Sequence, residues 1–423
     1  MTDLGLRTEP ALRRAAPALL GYAAVRALGL LTLALWSAAR DKSAYTLLTA
    51  RWDALWYTRV AELGYGYEVR LPNGDVHSNL AFFPLLPWLE RLLSAVTPLS
   101  YADAGFVVAL LASLAAAWGV FAVTDQVYGP RAGVCAVLLW AVLPVGIVQS
   151  MAYSESLFTA LAAWSLYAVL TGRWVTAGLL ASLAGLTRPV GLAVVAAVWA
   201  TGITAFLRDR ETGKSPETAA LGHPPTSDAL SFVRNRSAAG AGVAHTAEHA
   251  PHAASPRTPA RRALGLALAP LGAAAYVLWV GHRTGKGPLG YLDVQAGWRN
   301  GFDGGYAFAR FVADKFTSFP SALAGVGLIV GVGLVVWLYV VCVRQGQPLP
   351  LLVYAGVVTA LALCASSYFG SKPRLLMPAF PLLLPLALAL ARTRTRRSAV
   401  IVALLATASA LYGAFWLNGS GPP

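Results

Sequence analysis

Residues 320–343 read PSALAGVGLIVGVGLVVWLYVVCV. These 24 residues pass without one charged side chain. As an α-helix the stretch is about 36 Å long, enough to cross the roughly 30 Å hydrocarbon core of a bilayer. Backbone in hydrocarbon must satisfy its own hydrogen bonds, so a run of this kind folds as a helix. Comparable runs recur at about 17–39, 103–123, 131–149, 155–172, 174–187, 189–207, 263–282, 349–368, 375–391 and 398–416, for eleven candidates in all. The sequence therefore predicts an all-α fold, a polytopic membrane helical bundle of about 11 transmembrane helices.

Composition agrees. Of 423 residues, 57% are hydrophobic and 12% charged, against about 45–50% and about 25% in soluble chains. That excludes a soluble enzyme, a nucleic-acid-binding domain and a disordered scaffold. The net charge of +14 reads as arginine that fixes topology. With the N-terminus in the cytoplasm, the inner segments hold 18 Lys/Arg against 8 Asp/Glu and the outer ones 14 against 11. Arg392, Arg394, Arg396 and Arg397 then lie inside, and the opposite orientation would export them. The first run is too long for the apolar core of a cleavable signal peptide and is expected to stay as the first span. Cys135, Cys342 and Cys364 each sit within an apolar run and read as small core residues.

The chain divides into three regions: an N-terminal bundle (1–207) with an outer loop at about 40–100, a linker (208–262) and a C-terminal bundle (263–423). The linker is rich in Ala, Pro, Ser, Thr, His and charge, and is expected to be disordered and cytoplasmic. Its His245, His249 and His252 lack supporting cysteines and read as solvated rather than metal-binding. In the outer loop, residues 79–97 are apolar but interrupted by Pro84, Pro87, Glu90 and Arg91. Leu86, Leu89, Leu93 and Val96 share one helical face there, which predicts an interfacial helix. Read as a span, the segment would invert every later loop.

Polar groups in or beside a bilayer are costly, so they are functional candidates. Five clusters qualify, all on the expected outer side. The first is Arg51-Trp52-Asp53-Ala54-Leu55-Trp56-Tyr57, followed by Tyr65. A carboxylate among aromatics at a membrane surface suits proton abstraction from an alcohol. Asp53 could equally cap an interfacial helix, with the aromatics as an interface belt. The second cluster holds Ser154 and Glu155, where Ser154 also fits a helix N-cap. The third is Thr187-Arg188-Pro189, after a run too short to cross the hydrocarbon. Its guanidinium would be satisfied by a phosphate, or by a structural pair with Glu155. The fourth presents Gln295 and Trp298 at helical spacing, an amide and a ring for a sugar or simply an interfacial helix. The fifth puts Lys372 and Arg374 in a tight outer turn, against the positive-inside trend, which favours a phosphate site. No metal-ligand cluster appears in the sequence.

These clusters, in this order, resemble the PIG-V family (GPI mannosyltransferase 2-like) of GT-C membrane glycosyltransferases. The stretches that carry the resemblance are RWDALWYTRVAELGY at 51–65, AFFPLLP at 81–87, AYSESLF at 152–158, LAGLTRPVGL at 183–192, VQAGW at 294–298 and KPRLLMPAFPLLLPLA at 372–387. The resemblance implies a GT-C-like cell-membrane enzyme with interfacial helices in its first outer loop and an extracytoplasmic site. It would move a sugar, mannose by analogy, from a polyprenyl-phosphate donor to an acceptor hydroxyl, inverting the anomeric centre. By the same analogy Asp53 is the catalytic base. Arg51, Trp52, Tyr57, Tyr65, Ser154, Glu155, Arg188, Gln295, Trp298, Lys372 and Arg374 would contact substrate. Arg188, Lys372 and Arg374 would be the donor-phosphate contacts. No cofactor is expected, and metal-independent transfer fits the class. The 208–262 insert departs from the family pattern. The Ala-rich composition points to a high-GC bacterium, where glycolipids or exported proteins replace a GPI anchor as acceptor.

Two other classes compete. A transporter or flippase of a lipid-linked substrate would place polar groups near mid-bilayer and show duplicated halves; here the clusters gather on one side and no repeat is evident. A lipid-linked glycan polymerase or ligase would move whole chains rather than one hexose.

Overall fold

The computed structural model describes residues 3–212, 257–366 and 368–419. Most of the expected linker, with His245, His249 and His252, lies outside the described residues. Its two ends do not read as linker. The helix Leu192–Thr212 (α9) runs into it, the helix Arg257–Leu268 (α10) leads out of it, and Arg262 pairs with Asp209 at 2.8 Å. Continuation of helical periodicity past the last apolar residue explains the shift.

The chain is an all-α membrane bundle. Among the described residues, six helices are long and apolar enough to cross a membrane: Ala11–Ala38, Tyr101–Tyr128, Pro189–Glu211, Pro259–Thr284, Ser321–Arg344 and Thr395–Leu417. A seventh candidate is a pair, Phe369–Leu376 and Phe380–Arg392, bent by 74°. The other four apolar runs form the shorter helices Pro130–Ala141 (α6), Ser154–Leu170 (α7), Trp174–Gly185 (α8) and Leu349–Cys364 (α15). All eleven runs are thus helical, but length alone supports six or seven spans.

The breaks have local causes. α6 stops at Ala141, ahead of Pro144, and the run continues as a 3-10 turn, Gly146–Ser150. A helix ending inside an apolar bundle leaves its last carbonyls without partners. Here Gln149 Nε2 donates to Trp140 O at 2.8 Å, and buried Arg26, from the helix Asp3–Ala38 (α1), donates to the carbonyls of Ala141 and Gly146. Arg26 therefore has a structural explanation. α15 ends in the same manner. The ammonium of Lys372, in the short helix Lys372–Leu376 (α16), donates to Ala362 O at 2.7 Å and Ala365 O at 2.8 Å.

The loop after the first long helix folds into short elements. These are the helices Ala44–Thr49 (α2) and Asp53–Leu63 (α3), a hairpin of strands Glu68–Arg70 (β1) and Val76–Ser78 (β2), and the helix Leu85–Val96 (α4). α4 has 12 residues, buries Leu86 and Glu90 and exposes Trp88, Leu92 and Val96, and it is not among the helices long and apolar enough to cross. The hairpin is an addition to the expected all-α pattern. Its three-residue strands are too short to leave an alternating signature.

Candidate active site

α3 opens at an unusual turn. Trp52 takes φ of 51°, a conformation that costs a non-glycine residue about 1–3 kcal/mol. Asp53 is the first residue of the helix, and the turn delivers its carboxylate toward Arg374 of α16, beside the start of α7. Arg374 Nη1 lies 2.8 Å from Asp53 Oδ2, and Arg374 Nε lies 3.3 Å from Glu155 Oε1. The same Glu155 oxygen is 2.5 Å from Arg188 Nη1. Arg188 also donates to Ser154 Oγ at 3.2 Å, and Ser154 Oγ is 2.7 Å from Tyr57 OH. Residues 53, 57, 154, 155, 188 and 374 thus form one connected network.

Burial grades its members. The Glu155 side chain is 1% exposed, Arg374 9%, Arg188 13% and Asp53 25%. Asp53 is the carboxylate nearest to solvent. No hydrogen-bond acceptor is aligned with Nε or Nη1 of Arg374, so its contacts to the two acids are electrostatic. Its guanidinium lies over the ring of buried Tyr153, 5.1 Å from the centroid. Burial pushes the Tyr57 phenol well above its ordinary pKa, with Asp53 and Glu155 adding to the effect and Arg188 opposing it, so the phenol keeps its proton.

An aromatic patch adjoins the network. Phe82 meets Tyr57 edge-on at 5.2 Å and stacks on Trp56 at 5.6 Å. Trp298, just after the helix Gly290–Gly297 (α12), touches Trp56 at 5.0 Å and stacks on His77 of β2 at 4.0 Å. Trp56 follows Asp53 by three residues and so shares its side of α3.

Four expected contacts are engaged elsewhere. Arg51 stacks over Trp52 at 4.0 Å and donates to Leu417 O at 3.3 Å. Tyr65 donates to Phe82 O at 2.8 Å and packs against Tyr276 and Trp279. Gln295 donates to Tyr291 OH and accepts from Asn300, which places its amide in a local network rather than at the Asp53 carboxylate. Lys372 is occupied by the carbonyls at the end of α15 and lies 4.8 Å from the Phe308 ring centroid. The Trp298 indole N–H is likewise engaged, by Ser78 O at 3.0 Å. Sequence reasoning did not count Tyr153, Phe82 or His77 among the substrate contacts, nor Trp56, although Trp56 lay in the first cluster. Only Trp56 carried a local signal, its three-residue spacing from Asp53. Among the described residues, no three His, Cys, Asp or Glu side chains group so as to hold a metal ion.

Residues 30–213 match the family model described as Mannosyltransferase (PIG-V). GPI alpha-1,6-mannosyltransferase 2 of Rattus norvegicus is 34% identical over 161 residues, which cover 34% of this chain and 30% of that protein. The Mus musculus counterpart is 34% identical over 153 residues, covering 34% and 29%. The chain therefore spans about 30% of the length of these curated relatives. Among solved structures, ArnT from Cupriavidus metallidurans bound to undecaprenyl phosphate is similar over 91% of this chain and 62% of its own, at 14% identity and a TM-score of 0.48. The apo oligosaccharyltransferase of Archaeoglobus fulgidus is similar over 95% and 56%, at 13% identity and a TM-score of 0.44. Asp53, Tyr57, Ser154, Glu155 and Arg188 all lie within the stretch that is similar to the PIG-V mannosyltransferases, and Arg374 lies outside it.

Proposed function

We propose that the protein transfers one sugar, mannose by its relatives, from a polyprenyl-phosphate donor to an acceptor hydroxyl at the extracytoplasmic membrane surface. The observation that carries this reading is the meeting of Asp53 with Arg374, and of Glu155 with both Arg374 and Arg188, from four separate parts of the chain. One semi-exposed carboxylate beside the buried Arg374, with the largely buried Arg188 joined to it through Glu155, supplies what the reaction needs. Asp53 takes the proton of the acceptor hydroxyl as its oxygen attacks the anomeric carbon. The carbon–oxygen bond to the lipid phosphate breaks on the opposite face, and the configuration inverts. Arg374 and Arg188 neutralise the charge that grows on the departing phosphate. The Trp56–Phe82–Trp298 patch offers an apolar wall for a sugar ring or isoprenoid next to the base. Residues of the chain are sufficient for each step, and a metal-independent reaction is expected.

The test is incubation of the purified protein and native membranes with labelled polyprenyl-phosphate-mannose, with mass analysis of lipids and proteins. The expected product gains one hexose. Asp53→Asn should reduce transfer by about 10²–10⁴-fold, the usual worth of a general base. Normal turnover by that variant would remove Asp53 from the mechanism.

A further inference from the structure

Arg374 faces two carboxylates of unequal standing. Glu155 is 1% exposed and lies within ion-pair distance of both arginines. Asp53 is 25% exposed and reaches Arg374 alone among them. Neither Nε nor Nη1 of Arg374 is aligned with an acceptor, although the side chain is 9% exposed. Buried guanidinium donors normally find aligned partners, and a phosphate can accept two of them side by side. The charge balance of the network limits how an anion can enter. Two arginines and two carboxylates sum to zero, so a phosphodiester anion entering beside Arg374 makes a third negative charge around it. Like charges so close repel, and the least buried is the one that can leave.

Resting on the reading that Arg374 meets the donor phosphate, we infer that this guanidinium is handed over: Asp53 holds it before the donor arrives, the donor phosphate then takes it, and Glu155 anchors it throughout. Glu155 is thus a positioning residue, and donor binding activates the base. Losing its cationic neighbour frees the Asp53 carboxylate to face the acceptor hydroxyl, just when that hydroxyl must be deprotonated. The proton passes from the acceptor oxygen to Asp53, that oxygen bonds to the anomeric carbon, and the phosphate leaves with the bonding pair onto Arg374 and Arg188. The geometry also sets an order: an acceptor bound without donor meets a carboxylate still tied to arginine.

The experiment measures binding of farnesyl phosphate to the purified full chain in detergent by tryptophan fluorescence. Asp53→Asn removes the competing anion, so farnesyl phosphate should bind at least about threefold tighter, the order of a partly exposed ion pair. Equal or weaker binding overturns the hand-over. Turnover is recorded on the same variant, so that a failure of Asp53 as base shows there and the exchange is judged by affinity alone. A second measurement needs no variant: carbodiimide labelling of the wild-type protein, mapped by mass spectrometry. Farnesyl phosphate should raise labelling at Asp53 while Glu155 stays protected, and unchanged or reduced labelling at Asp53 refutes the exchange. Inorganic phosphate at equal concentration should not reproduce the rise. If it does so in full, the lipid donor is not the exchanging ligand and the inference fails.

Discussion

Glu155→Gln is the substitution that separates an anchor from a reactive group. In the wild-type protein Glu155 Oε1 sits 2.5 Å from Arg188 and 3.3 Å from Arg374, and the side chain is 1% exposed. Gln keeps the shape and removes the charge. Arg188 would keep only Ser154 Oγ at 3.2 Å, and Arg374 only Asp53 at 2.8 Å. Removing one partner of a buried pair costs about 3–5 kcal/mol. The contact retained by Arg374 offsets part of this, so a loss of about 2–4 kcal/mol is expected. Unfolding entropy of roughly 2.1 cal/mol/K per residue over the chain turns that into about 2–5 °C of Tm. Asp53→Asn leaves both arginines on Glu155 and breaks a pair that is partly screened by solvent, so its cost is about 1 kcal/mol or less and about 1 °C. The assay is thermal unfolding in detergent followed by intrinsic fluorescence, run beside the transfer assay. Glu155→Gln should lose stability and activity together, and Asp53→Asn activity almost alone. A Glu155→Gln protein within about 1 °C of the parent, or an Asp53→Asn protein destabilised just as much, would refute the ranking of the two acids.

Burial and packing set other expectations. Glu90 on α4 is fully buried with neither oxygen partnered, and burial pushes its carboxyl well above the ordinary value of 4.5. The folded chain binds that proton more tightly than the unfolded one, so its stabilisation is complete below pH 4.5 and is lost as pH rises through the folded value. Glu90→Gln should therefore melt higher than the parent at about pH 8, with the advantage vanishing in melts near pH 4.5. Gly272, on the helix Leu271–Thr284 (α11), stands where a Cβ would overlap the Ser182 carbonyl oxygen of α8. Gly272→Ala should cost about 1–3 kcal/mol by overpacking and lower transfer, since α8 leads into Arg188; Gly333→Ala, where a Cβ meets open space, should leave both melting and transfer unchanged. Lys372→Met should lower Tm by leaving carbonyls at the end of α15 without a donor, at about 1–3 kcal/mol each. Farnesyl phosphate affinity of the folded fraction should hold, and a tenfold loss would instead make Lys372 a phosphate contact.

Much of the fold was legible because hydrocarbon selects residue type so strongly. Each of the eleven apolar runs is helical. What hydropathy could not read was where the backbone stops being helical inside a run. Pro144, Pro270 and Pro378 are as apolar as their neighbours, yet the helix ends or bends beside each. In the site, Asp53, Ser154, Glu155, Arg188 and Arg374 stood out because each is polar where polarity is costly. The stacking of His77 on Trp298 joins strand β2 to the end of α12 across 221 positions, and no local pattern encodes it. Gln295 and Trp298 did have the spacing of one helical face, but that spacing cannot tell whether a neighbour or a ligand takes their polar atoms.

The cations show most sharply where sequence reasoning stops. Arg26, Arg188, Lys372 and Arg374 are alike as sequence signals, each a positive charge set among apolar residues. Their partners divide them. Arg26 and Lys372 close helix ends, and their acceptors are backbone carbonyls, a group every residue carries and no pattern advertises. Such a carbonyl cannot be exchanged for a ligand without leaving the helix end unsatisfied in a dry interior. Arg188 and Arg374 face carboxylates instead. A carboxylate and a phosphate present the same pair of acceptor oxygens to a guanidinium, so one can replace the other without disturbing a helix. On the proposed reaction, Arg188 and Arg374 are the two of the four whose present partners a lipid phosphate could replace and then give back.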